Sequence, residues 1–110
     1  MSMNVHLTSP LRCWLLLVVM LSGLLSGCAS LSPPVQEMSD ARQAIKAARE
    51  ANAQELAPQK LQSAEDSIEL ATRTLEQGEY EAARMAASVA KALAIKARDE
   101  ALAAAATRGP

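Results

Sequence analysis

Hydrophobic positions fall into two regimes along the chain. Residues 13 to 25 read CWLLLVVMLSGLL, an apolar run of 13 residues without a charge. From Ser39 onward the apolar residues are spaced three and four apart instead, as on one face of a helix. Neither period-2 alternation nor a β-branched cluster interrupts that spacing, so no strand is predicted.

The first periodic stripe is Met38, Ala41, Ile45, Ala48 and Asn52. Ser39 is suited to cap this helix and Asp40 to its first turn. Pro58 breaks a helix interior but fits a first turn, so helix one ends near Glu55 or Leu56 and helix two begins around Pro58. The second stripe is Leu61, Ala64, Ile68, Ala71 and Leu75. Gly78 suits a helix C-terminus, where a left-handed backbone is needed. A third helix runs from Glu79 to about Thr107, about 43 Å at 1.5 Å per residue. Its stripe is Ala83, Ala86, Ala90, Leu93, Ala97, Ala101 and Ala104, flanked by Met85 and Val89. The short turn at Gly78 makes helices two and three antiparallel. The expected fold is all-α: an antiparallel helical hairpin extended to a small three-helix arrangement.

The apolar run near the N-terminus changes the picture of where the protein works. It follows a short segment whose one charged side chain is Arg12, and it ends in Leu25-Ser26-Gly27-Cys28. A basic segment, an apolar core of this length and small residues at its end make a secretory signal. The last four residues resemble the lipobox of bacterial lipoproteins. Cys28 supplies the thiol that takes a diacylglyceryl group. Ser26 and Gly27 let extended backbone into the signal peptidase, and Leu25 fills an apolar subsite. The resemblance implies cleavage between Gly27 and Cys28, then acylation of the new amino terminus. An uncleaved membrane span over residues 13 to 32 is the alternative, weakened by Ser22, Gly23, Ser26 and Gly27. The domain plan is thus a signal peptide at 1–27, a lipidated tether at 28–38 stiffened by Pro33 and Pro34, and an alanine-rich helical domain at 39–110. Ala29 and Ser30 follow the cysteine where inner-membrane lipoproteins often carry Asp, which implies the periplasmic face of the outer membrane.

Removal of 27 residues leaves 83 of the 110. That remainder holds no Phe or Trp, and Tyr80 is its one aromatic. A chain this short buries a thin core. The whole sequence has 11 basic and 12 acidic residues, with both signs interspersed. That pattern lacks the basic stripe of a nucleic-acid binder. His6, Cys13 and Trp14 all precede Cys28. The mature part therefore has no Ser-His or Cys-His pair, no Cys/His zinc set and no disulfide. Glu65, Asp66 and Glu69 cluster on helix two, and Glu76, Glu79 and Glu81 at the turn. They read as solvated surface rather than an acid/base pair or a cation site. No cofactor and no catalytic activity are expected.

Two residues stand out as candidates for interaction. Tyr80 could be an exposed hot spot, but at a hairpin turn it more often packs over the turn as the largest core residue. Asn52 lies on an apolar stripe, where it either specifies register or oligomeric state or is exposed at a helix end.

Ala48-Arg49-Glu50-Ala51, Glu55-Leu56-Ala57-Pro58, Leu61 and Ala64-Glu65 form one familiar stretch. Gly78-Glu79-Tyr80-Glu81-Ala82-Ala83-Arg84 forms another. Together they resemble the domain-of-unknown-function 4398 family over roughly Ser39 to Ala105. Members are small bacterial envelope lipoproteins, some with the same helices ahead of a peptidoglycan-binding domain like that of outer membrane protein A. The present sequence ends at Pro110 without that second domain, and the family has no established activity or catalytic residues to carry over. The turn at Gly78 also looks like a tetratricopeptide junction, but no pattern repeats at about 34 residues. The reading is a non-enzymatic structural or interaction lipoprotein. It would be held in the membrane by the lipid on Cys28 and would bind an envelope protein or itself. A tethering module, for instance on peptidoglycan, is the alternative.

Overall fold

A computed structural model describes residues 9–24 and 32–109, in two separate compact units that divide after Ser32. The first unit contains α1, Ser9–Leu24. Its apolar side chains from Leu11 to Leu21 are exposed all round the helix. Among the described residues, no helix is long and apolar enough to cross a membrane.

The second unit is built from α2 (Val35–Glu50), a single turn α3 (Ala53–Leu56), α4 (Pro58–Glu76) and α5 (Tyr80–Arg108). The all-α expectation holds among the described residues. α5 is the spine, and both α2 and α4 pack along it. α4 returns antiparallel after the turn at Gly78. Glu37 meets Arg84 and Asp40 meets Lys91, so α2 runs parallel to α5. Lys60 meets Glu100 at the other end of the pair formed by α4 and α5. This up-down-up order is the three-helix arrangement expected.

Alanine shapes the packing. Ala83, Ala87, Ala90, Ala94, Ala97 and Ala101 alternate in steps of four and three, and all are fully buried. This is a heptad seam made wholly of methyl groups, which lets neighbouring backbones approach closely. Larger groups come from the flanking helices. Met38 and Ala41 pack with Ala71, Ala86, Ala87 and Ala90 in one cluster. Ile45, Ala48 and Leu61 pack with Ala94, Ala97 and Ala101 in the other. Ala87 and Ala94 were absent from the expected stripe because one stripe suits one partner, whereas α5 has two. Met85 and Val89 do not flank the buried face. They lie on the opposite side and are exposed.

α2 begins four residues before the Ser39 cap expected from the sequence. Pro33 and Pro34 fix φ near the helical value, and the Met38 N–H donates to the Pro34 carbonyl at 3.0 Å. Pro34 is fully buried, so it belongs to the packed domain. α2 also ends earlier than expected, at Glu50 rather than near Glu55 or Leu56. The chain turns at Asn52, then Ala53 and Ala57 bury themselves at that end of the core. Pro58 starts α4 as anticipated.

The α4–α5 turn is a Schellman motif. The Glu79 N–H donates to the Thr74 carbonyl at 2.9 Å and the Gly78 N–H to that of Leu75 at 3.0 Å. Gly78 has φ +78°, and a Cβ there would touch nothing within 4 Å. Only backbone strain therefore opposes a side chain. Gly78→Ala is expected to cost about 1 kcal/mol and Gly78→Asn less, measured by urea unfolding.

Candidate interaction surface

The lipobox residues Leu25, Ser26, Gly27 and Cys28 lie outside the described residues. Cys13, on α1, is an exposed free thiol. What the structure places is the surface of the helical unit.

Asn52 sits at the α2–α3 corner with φ +64° and ψ +35°, a left-handed residue. Its N–H donates to the Arg49 carbonyl at 2.9 Å, and its side-chain amide donates to Glu55 Oε2 at 3.1 Å. The side chain is exposed and does not lie on the buried stripe. Asn suits this position because it tolerates the left-handed region better than other side chains. Asn52→Gly is expected to leave stability unchanged within about 0.5 kcal/mol, whereas Asn52→Val lowers it by about 1–2 kcal/mol. Thermal melts of the two variants check this.

Tyr80 is the first residue of α5 and is half-buried rather than the largest core residue. Neither core cluster contains it, and the largest fully buried side chains are Met38 and Pro34.

Most of the acidic residues are dispersed into surface pairs, Glu76 and Glu79 at the turn excepted. Glu65 accepts from both Nε and Nη2 of Arg49, joining α4 to α2. Glu69 pairs with Arg73, Glu81 with Arg84, and Asp66 accepts from Gln62. Among the described residues no three His, Cys, Asp or Glu side chains group as a metal site would need. Arg84, more than three-quarters covered, also reaches Glu37 at 3.1 Å and so ties α5 to α2.

The carboxyl of Asp40 is held below the ordinary carboxylate range. A hydrogen bond from Gln36 Nε2 at 2.7 Å lowers its pKa first, and the Lys91 ammonium at 3.3 Å lowers it further. A depressed folded-state pKa gives stability that is present above the unfolded value and lost as pH falls through the folded one. The melting temperature should therefore fall in acid below the ordinary Asp range. Lys91→Met should flatten that part of the acid limb in a pH series of melts.

Among the described residues the surface carries open grooves. One, about 460 Å³, lies between α2 and α4 and is lined by Arg42, Ile45, Arg49, Glu65 and Ile68. It is open to solvent rather than an enclosed cavity. The exposed large hydrophobics on the helical unit are Val35, Leu70, Met85, Val89 and Leu102, and three of these five lie on α5. The sequence had placed Met85 and Val89 beside the core and so missed this face. Its signal was available, since Ala82, Met85, Val89 and Ala92 recur at three-four spacing in antiphase to the alanine seam.

The chain matches no curated protein and no solved structure. A family profile described as a domain of unknown function, DUF4398, matches residues 36–109. That stretch is α2 to α5 almost from end to end, and the chain belongs to the DUF4398 family.

Proposed function

We propose that this protein is a bacterial envelope lipoprotein, anchored through lipid on Cys28, whose helical domain acts as a non-enzymatic structural or interaction module. The observation that carries the reading is Ser26-Gly27-Cys28 placed directly after a 13-residue apolar run that ends at Leu25. One acyl chain holds a protein to a bilayer only marginally, whereas the two or three chains of a mature lipoprotein hold it stably. The domain beyond the tether supports the interaction role. Most of its acidic residues are engaged in surface pairs, its grooves are open, and apolar side chains remain exposed on α5. The proposed site of action is the periplasmic face of the outer membrane, following Ala29 and Ser30 after the cysteine.

Metabolic labelling with an alkyne-bearing fatty acid tests the anchor. The wild-type chain is expected to carry label and the Cys28→Ala chain none. Equal labelling of both, or of neither, would overturn the reading.

A further inference from the structure

We propose that the exposed face of α5 pairs with the same face of a second copy of this chain, in antiparallel register centred near Ala87. This deepens the interaction reading above by naming the partner. The face is made by Ala82, Met85, Val89 and Ala92, at steps of three, four and three, with Met85 64% and Val89 51% exposed. This order reads nearly the same in both directions: small, large, large, small. A two-fold axis at its midpoint sets Met85 against Val89 of the second copy and Ala82 against the second copy's Ala92. Each large side chain then meets a large one, as a two-fold interface requires of a self-complementary patch.

Charge selects this direction over the parallel one. The stripe continues through Lys96 and Asp99. Parallel pairing would stack Lys96 on Lys96 and Asp99 on Asp99, both repulsive. Antiparallel pairing carries Lys96 to the level of Gly78 in the second copy, beside Glu76 and Glu79 there. Lys96, Glu76 and Glu79 make no ion pair among the described residues of a single chain. The pairing therefore gives three unpaired charges opposite partners at both ends of the interface. Ser88, at the centre, is exposed and small.

The geometry also suits two chains tethered to one bilayer. Glu37 lies against Arg84, so the start of the domain at Pro33 and Pro34 is beside the first turns of α5. Both tethers then leave near the level of the two-fold axis, each from the side of its own domain away from the interface, while the C-terminal ends of α5 project outward in opposite directions. Pairing from residue 78 to 96 overlaps about 27 Å of helix. Such a strip of small apolar residues makes a weak interface, and confinement of both copies to one membrane raises their effective concentration.

The experiment is disulfide trapping in cells expressing the full chain with Cys13→Ser. One strain adds Ala82→Cys, a second adds Ala92→Cys, and a third produces both chains with different tags. Antiparallel pairing predicts an oxidised dimer joining the two tags in the third strain, and no dimer in the first or second. Two Ala82→Cys thiols would be ten residues apart along the axis, about 15 Å, beyond the reach of a disulfide. Adding Met85→Lys and Val89→Lys, at exposed positions that leave helicity unchanged by circular dichroism, is expected to abolish the trapped dimer. A dimer in either single-variant strain would overturn the register, and no dimer in any strain would overturn the pairing. The Cys13→Ser parent without an added cysteine reports Cys28 separately. A dimer there means a free Cys28 thiol, which overturns the anchor and not the interface. The trapping is then read in the Cys28→Ser chain.

Discussion

Ala94→Leu is expected to lower the melting temperature of the domain by about 10–20 °C. Ala94 is fully buried, and its neighbours Ile45, Ala48 and Leu61 come from two different helices. A leucine has no direction in which to lean, because α2 closes one side and α4 the other. Overpacking a core typically costs 1–3 kcal/mol, and each kcal/mol shifts the melting temperature of a domain this size by about 4–8 °C. The seam allows less relaxation than an ordinary core. Methyl groups have no alternative rotamers, so added volume must push a backbone. Ala92→Leu, two residues away on the exposed side, serves as the contrast and is expected to change stability by less than about 0.5 kcal/mol. A comparable loss in both variants would mean that the seam is not the packed face.

Leu61→Ala should be the most damaging truncation, at about 2–5 kcal/mol. Leu61 is 4% exposed and, with Ile45, supplies the bulk of the cluster that otherwise consists of alanines. Neighbours that are already methyl groups cannot swing in to fill the space. The cavity persists unless α4 moves towards α5. A domain of this length has only about 3–5 kcal/mol from its single core, so the variant is expected to be largely unfolded at 37 °C. Leu102→Ala, on the exposed part of α5, should melt with the wild type. Urea unfolding of both variants separates burial from the general loss of a leucine.

Helix existence and order were legible from three-four spacing, Pro58 and Gly78, because each acts through local geometry. The α2 and α4 stripes were read correctly, apart from Asn52, since each helix faces one way. The α5 stripe was only half read. A helix that contacts two others has a wide buried arc, and alanine marks buried and exposed positions alike. Whether Ala87 or Ala92 is inside depends on where the second partner lies, which is a tertiary fact. Helix ends were misjudged for a related reason. Ser39 is a good cap residue, but Pro34 is buried against the domain, and that packing extends the helix back to Val35. Asn52 fits the stripe's arithmetic, but the chain has already left the helix there in a left-handed turn. The candidate site divides the same way. Cys28 rests on local sequence chemistry, whereas the face of Met85 and Val89 emerged only once the alanine seam was located.

Intact mass spectrometry of the membrane-extracted chain tests most directly the proposal that Cys28 is the lipidated first residue of the mature protein. The expected result is a mass for residues 28–110 plus diacylglyceryl and acyl groups, with the Cys28→Ala chain remaining at precursor mass. An unmodified precursor mass for the wild type, identical in processing to the variant, would contradict it.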